Sequence, residues 1–246
     1  MRLHRFYVTE TLEGQTQVTI HSTELFHQIR RVFRLREGDS VILFNGTQFD
    51  YECKIDGFGE GSKILDTNVI HFRVTATERS RSSSQQQLFL CAAITKKDTF
   101  EWIVEKATEL GVTNIVPVIA ERSEKKSLNA ERLNKIAIEA SEQSGRATIP
   151  MVHDIMGLED VVEFLKQQGV SLKQQIVFHT EGDMFNRADI DVSLPLAVYV
   201  GPEGGWSVKE LEYFHTQNIA TACLGPQVLR AETAVVATLS QVVFGR

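Results

Sequence analysis

The sequence predicts an α/β protein in which a small mixed β-barrel precedes a domain built on a mostly parallel sheet. Three observations carry this reading. Short stretches of alternating apolar and polar residues dominate positions 1–75, the period of half-buried strands. From position 88 onward, apolar runs alternate with segments of helical period, which is the pattern of βα units. Two glycine-proline segments close apolar runs late in the chain: Val200-Gly201-Pro202-Glu203-Gly204-Gly205-Trp206-Ser207 and Leu224-Gly225-Pro226-Gln227-Val228-Leu229-Arg230-Ala231-Glu232-Thr233-Ala234. Open α/β sheets hold their ligands at such strand ends, so these loops are the expected active site.

In the first part, Gln17-Val18-Thr19-Ile20 alternates, and a short helix fits residues 23–33 ahead of the Glu37-Gly38-Asp39 turn. Ser40-Val41-Ile42-Leu43-Phe44 runs into Asn45-Gly46, a hairpin signal. The stretches 48–55 and 69–74 complete the strands. The polar segment Glu78-Arg79-Ser80-Arg81-Ser82-Ser83-Ser84-Gln85-Gln86-Gln87 reads as a linker or exposed loop. The domains are therefore drawn as 1–75 and 76–246.

In the second part, 88–93 suits a strand. Residues 100–110 suit a helix capped by Asp98 or Thr99 and closed by Gly111. Residues 115–119 suit a strand whose Pro117 marks an edge or an end. Helices fit 129–144 and 157–168, and strands fit 175–178 and 197–200. Ser207 and Glu210 have capping-box spacing before a further helix. The last helix, 232–244, carries Ala234, Val235, Val236, Ala237, Leu239, Val242, Val243 and Phe244. A helix apolar on all sides is buried, either in the core of its own chain or against a second subunit.

With 246 residues the chain can bury a sizeable core. Its 26 Lys and Arg against 32 Asp and Glu give a net charge of -6, so no global positive field announces a nucleic-acid partner. A local one is present at the start, where Arg2, Arg5, Arg30, Arg31, Arg34 and Arg36 face only Glu10, Glu13 and Glu24. Cys53, Cys91 and Cys223 are widely spaced and read as buried thiols of a reducing, cytoplasmic compartment. No apolar run suggests export or a membrane span. The histidines form no HExxH or His/Cys cluster, so no metal is expected.

Neither glycine-rich loop is a nucleotide motif, since GxGxxG and Gly-Lys-Ser/Thr are both missing. The bare backbone of 201–205 could approach a flat ligand closely. Glu203 suits a cationic ligand, such as a sulfonium, better than a polyphosphate; the alternative is a tight turn with an exposed acid. A valine at Gly204 is expected to obstruct the ligand. Arg230 could hold a phosphate or an oxygen gaining negative charge, or pair with Glu232 or Glu203. Glu232 and the Thr233 hydroxyl could serve a ligand or the helix N-terminus. Gln143 could read a base edge and Arg146 hold a phosphate; a helix C-cap at Gly145 explains the same residues.

Together with Lys106-Ala107-Thr108-Glu109-Leu110-Gly111-Val112 and Glu142-Gln143-Ser144-Gly145-Arg146, the two loops make the chain resemble the bacterial small-subunit (16S) ribosomal RNA methyltransferases that act on N3 of a uridine. These are knotted SPOUT enzymes. The resemblance runs from His4-Arg5-Phe6-Tyr7 to the last helix; Ala231 departs from it, standing where the family more often has Thr. It implies a PUA-like RNA-binding β-barrel and a SPOUT α/β domain with a trefoil knot, working as a homodimer on ribosomal RNA in an assembled or nearly assembled subunit. It implies S-adenosyl-L-methionine held by Val200, Gly201, Pro202, Glu203, Gly204, Gly205, Leu224, Gly225, Val228, Leu229 and Thr233. Arg230 and Glu232 become the catalytic pair, with Arg230 stabilising the deprotonated base and Glu232 positioning it or acting as base. RNA contacts fall to His4, Arg5, Arg30, Arg31, Arg34, Gln143 and Arg146. The alternatives are methylation of another base or a ribose, and a non-catalytic RNA-binding assembly protein.

Overall fold

The computed structural model describes residues 3–59, 68–80, 86–123 and 127–245. The chain divides into two compact units, Met1–Ser83 with Ser141–Thr148, and Ser84–Ala140 with Ile149–Arg246. Arg2 and the centre of the expected linker, 81–85, lie outside the described residues.

The first unit is a mixed five-stranded sheet of β1 (Arg5–Tyr7), β2 (Gln17–His21), β3 (Ser40–Phe44), β4 (Phe49–Gly59) and β5 (Val69–Arg79), in the order β1-β3-β4-β5-β2. Only β1 and β3 run parallel. Alternation in β2 and β4 turns Val18, Ile20, Tyr51, Cys53 and Ile55 inward, as the two-residue period of a strand requires. The edge strands β1 and β2 do not pair with each other, yet Phe6 of one and Ile20 of the other share a core with Leu43, Ile55 and Phe72. The sheet therefore wraps a single interior like a barrel. Helix α1 (Thr23–His27) starts where the Ser22 hydroxyl accepts the Leu25 N–H at 3.1 Å, and Gln28–Val32 extends it as a π-helical turn. The hairpin between β3 and β4 turns with Gly46 at φ +85°, which glycine adopts without cost.

The second unit has an all-parallel sheet: β6 (Leu88–Ala93), β7 (Asn114–Ile119), β8 (Met151–Val152), β9 (Met156–Gly157), β10 (Gln175–Met184), β11 (Leu196–Val200) and β12 (Ala220–Cys223). Its order is β12-β10-β11-β6-β7-β8, with β9 also on β7. Every residue of β6 and β11 is buried, as expected of parallel strands covered on both faces. On one face Leu90, Val198 and Val200 meet α2 (Lys97–Glu109), α3 (Ala130–Ser144) and α6 (Ala231–Phe244) through Ile103, Ile136, Val235 and Leu239. On the other, Phe89 and Tyr199 meet α4 (Leu158–Gln167) and α5 (Val208–Thr216) through Val161, Leu165 and Phe214. Each fully buried Leu, Val or Phe contributes about 1.5–3 kcal/mol.

Two expectations are corrected. Neither Asp98 nor Thr99 caps α2, which starts earlier, after Lys96, with no side-chain cap. Its end is as read: Gly111 at φ +94° lets the Val112 N–H reach the Ala107 carbonyl. In α6, Val235 and Leu239 are buried against the chain's own sheet, so they cannot serve an interface. Val236, Ala237 and Val243 are half-buried, and Phe244 is 66% exposed. The helix thus has a core face and a separate outer apolar face.

Pro117 lies on β7 opposite Ala92. The Ile115 carbonyl accepts from His153 on the outer side of β7, so residue 117, two further on, faces the same side. Pairing there covers 114–115 and resumes at 118–119. The missing N–H of Pro117 falls in that gap.

Candidate functional site

The C-terminal ends of β10, β11 and β12 converge on one cleft of about 250 Å³. Each end leaves the sheet for a local reason. In β10, both Phe178 and Asp183 register on Ala222, so residues 179–182 bulge out of the ladder. A Cβ on Gly182 would lie 2.6–2.7 Å from backbone atoms of Ala222, so the bulge exists because this residue has no side chain. His179 and Thr180 of the bulge line the cleft. The Glu181 N–H donates to His179 Nδ1 at 3.2 Å, leaving the ring proton of the neutral form on Nε2.

β11 ends in a turn closed by the Gly205 N–H on the Pro202 carbonyl at 2.8 Å, with Gly205 at φ +67°. A Cβ on Gly201 would press on Trp206 at 3.2 Å. The indole is 2% exposed and edge-on to Phe214 at 5.3 Å, and its Nε1 is buried with no hydrogen-bond partner among the described residues. The Lys96 N–H donates to the Glu203 carboxylate at 3.4 Å. Next the Ser207–Glu210 capping box forms in full: Ser207 N–H donates to Glu210 Oε2 at 2.7 Å, and Glu210 N–H to Ser207 Oγ at 3.3 Å. It fixes where α5 begins and where the loop ends.

After β12, Gly225 takes φ +139°. The backbone N–H groups of Gly225, Gln227, Val228 and Leu229 donate to no described residue. Apolar walls come from Phe178, Val200, Leu224, Leu229 and Ala234. Glu203 and His179 are the titratable side chains of the lining. The arrangement suits a flat, partly apolar ligand read by backbone groups, with a carboxylate available to a cation.

Val200, Gly201, Pro202, Glu203, Gly204, Gly205, Leu224, Gly225, Val228 and Leu229 all line the cleft. Thr233 does not, and its side chain points to solvent. Arg230 and Glu232 are likewise outside the lining. Arg230 sits between the lining residues Leu229 and Ala231, exposed, as the N-cap of α6. Among the described residues it makes no ion pair with Glu232 or Glu203.

In the first unit, Arg30, Arg31 and Arg34 are exposed, and the Arg30 guanidinium lies 4.6 Å over the Phe58 ring. His4 is exposed against Phe33, with ring centroids 4.3 Å apart, and Gln143 is exposed. Arg5 and Arg146 correct the reading that placed them on RNA. The Arg5 side chain is 7% exposed and holds Asp50 through two bonds of 2.6 and 3.0 Å, with a third to the Arg146 carbonyl at 3.1 Å. Arg146 is 3% exposed, and burial pulls its pKa down to about 10. Both are spent inside the protein.

Phe178, His179, Thr180, Ala231 and Ala234 line the cleft without having been assigned to the ligand. The signal for the first three was Gly182, a glycine just beyond an apolar strand. Among the described residues no cluster could hold a metal ion, and no helix is long and apolar enough to cross a membrane.

Comparison with known proteins places this geometry. A family model for an RNA methyltransferase domain matches residues 82–243, and one for an RNA methyltransferase PUA domain matches 23–65. The chain is 30% identical over 244 residues to a ribosomal RNA small subunit methyltransferase E of Rickettsia conorii, covering 98% of this chain and 96% of that one. The same-named protein of Bacillus subtilis is 29% identical over 254 residues, with coverage of 98% and 96%. Among solved structures, a ribosomal RNA small subunit methyltransferase E from Neisseria gonorrhoeae bound to S-adenosyl methionine superposes with a TM-score of 0.82, at 26% identity, covering 98% and 97%.

Proposed function

The chain belongs to the ribosomal RNA small subunit methyltransferase E family and carries its RNA methyltransferase domain, and we propose that it methylates small-subunit ribosomal RNA at N3 of a uridine with S-adenosylmethionine as donor. The observation that carries this is the cleft where three parallel strands end, with glycines and uncommitted backbone donors on its rim.

The residues present fit that cofactor. Phe178, Val200, Leu224 and Leu229 supply apolar walls for an adenine. The free N–H groups of Gly225, Gln227, Val228 and Leu229 supply donors for its polar edge, and Glu203 faces the positive charge. When bound, the cofactor supplies an activated methyl group. The protein supplies the rest. Uridine N3 must lose its proton, which passes to solvent water, and the negative charge then spreads to the flanking carbonyl oxygens. Arg230 at the cleft's edge, without a competing ion pair, stabilises that charge where it develops. Glu232, on the first turn of α6, makes no ion pair with Arg230 in the free protein, and we assign it the role of orienting that guanidinium once RNA is bound. The cleft aligns the two reactants, an orientation effect, and the target base leaves its stack to enter.

RNA affinity falls to His4, Arg30, Arg31, Arg34 and Gln143, the exposed members of the expected set. We further assign the chain a trefoil knot through the cleft loops, a cytoplasmic setting, and a homodimer through the outer face of α6.

The test is product analysis. Small ribosomal subunits lacking the modification are incubated with protein and S-adenosylmethionine, and the nucleosides are resolved by mass spectrometry. 3-Methyluridine is expected. Methyl on ribose or another base overturns the N3 assignment, and no transfer despite RNA binding would favour an assembly protein.

A further inference from the structure

The turn that follows β7 reaches the cleft loop from behind. Residues Ala120–Ser123 close on themselves: the Ser123 N–H donates to the Ala120 carbonyl at 3.0 Å, and the Ala120 N–H to Ser123 Oγ at 3.2 Å. From this turn the Arg122 guanidinium donates to the Gly204 carbonyl at 2.7 Å and to the Trp206 carbonyl at 3.4 Å. Its neighbour adds a third tie, the Glu121 N–H donating to Glu210 Oε1 at 2.9 Å. That carboxylate's other oxygen is already in the α5 capping box.

Gly204 belongs to the same arrangement. A Cβ there would meet Cβ and Cδ of Arg122, each at 3.3 Å. The bare face of this glycine is turned to the arginine stem, so a side chain at 204 would act on the ligand site through Arg122. Gly204 is small so that Arg122 can lie against it.

We propose that Arg122 is a positioning residue for cofactor binding. By gripping the carbonyls of Gly204 and Trp206 it fixes the 201–206 stretch in the shape that receives the ligand. The inference rests on the reading of the cleft as the S-adenosylmethionine site. One oriented guanidinium on two carbonyls of a single loop restricts the peptide planes between them. The loop therefore does not have to be ordered at the moment of binding.

The experiment is a double-mutant cycle read by calorimetry with S-adenosylmethionine and S-adenosylhomocysteine. Arg122→Ala should weaken affinity about tenfold, the scale of a lost charge-assisted hydrogen bond. Its KM for cofactor should rise while kcat at saturation stays near wild type. Arg122→Lys should recover part of the loss. Gly204→Ala should weaken binding in the wild-type background and cost less in Arg122→Ala, where the Cδ it strikes is gone and only the Cβ contact stays. Unchanged affinity in a folded Arg122→Ala, or additive penalties, overturns the proposal. If the wild-type protein binds neither ligand, the cofactor reading fails instead. Hydrogen exchange of the Gly204, Gly205 and Trp206 amides then judges the grip alone: faster exchange in Arg122→Ala supports it, and unchanged exchange removes it.

Discussion

A Cβ on Gly182 would sit 2.6 Å from the carbonyl carbon of Ala222, so the β10 bulge and β12 meet backbone to backbone. That contact puts His179 and Thr180 into the cleft wall. Gly182→Ala should force the two strands apart, destabilising the protein by about 3 kcal/mol, and should cost more cofactor affinity than the lost stability explains. Thermal melts and calorimetry measure the two effects. A variant with wild-type melting and affinity would show that the bulge yields freely.

The division of labour between the two units gives a second expectation. Arg30→Ala, Arg31→Ala and Arg34→Ala combined should weaken RNA binding and lower the slope of log affinity against log salt by about 2, if each arginine neutralises one phosphate. Cofactor affinity should survive. Arg230→Ala should bind RNA and cofactor but lose roughly 100-fold in single-turnover rate. An Arg230→Ala protein that loses only RNA affinity would make that arginine a phosphate anchor.

Much of this was legible in the sequence. Continuous apolar runs announced β6 and β11, alternation announced β2 and β4, and the glycine-proline segments located two walls of the cleft. The third wall was not legible, because a bulge leaves no periodic trace and the strand looked finished at Phe178. Arg5 and Arg146 were misread for a different reason. Charge in a sequence implies exposure, and only the fold reveals that Asp50 and the Arg146 carbonyl are there to receive Arg5. The role of α6 was half legible: its composition showed burial, but not that Val235 and Leu239 take the inner face while Phe244 is left outside.

That outer face yields a third expectation. Wild-type protein should sediment as a dimer at micromolar concentration, and Val236→Glu with Phe244→Glu should shift it to monomer, since burying two carboxylates without partners is costly. The inner-face residues are untouched, so the monomer should stay folded. A wild-type monomer with full activity would remove the interface.

The thiols give a fourth. Burial, reinforced by the Glu52 charge, pushes Cys53 from its ordinary 9.0 up to about 12, and burial raises fully enclosed Cys91 as well. Cys223 is partly exposed. A thiol reagent at pH 8 should therefore modify Cys223 alone in the native protein and reach all three after unfolding. The stability Cys53 lends by keeping its proton is complete below pH 9. It is lost as pH climbs toward 12, because the unfolded thiol ionises first. Cys53→Ala should flatten that alkaline decline in chemical denaturation. Rapid native labelling of Cys53 would show that the barrel interior opens readily.

Pro117 bears on a hazard common to sheet proteins. An outermost strand with a full row of free N–H and C=O groups is a template on which another chain can grow. At this margin the partners of β7 are two strands of two residues each, and the position left unpaired between them is a buried residue with no N–H to offer. A docking strand would find its ladder interrupted at the centre. The proline that costs β7 nothing within the fold thus guards the protein, while it is crowded and newly made, against edge-to-edge aggregation.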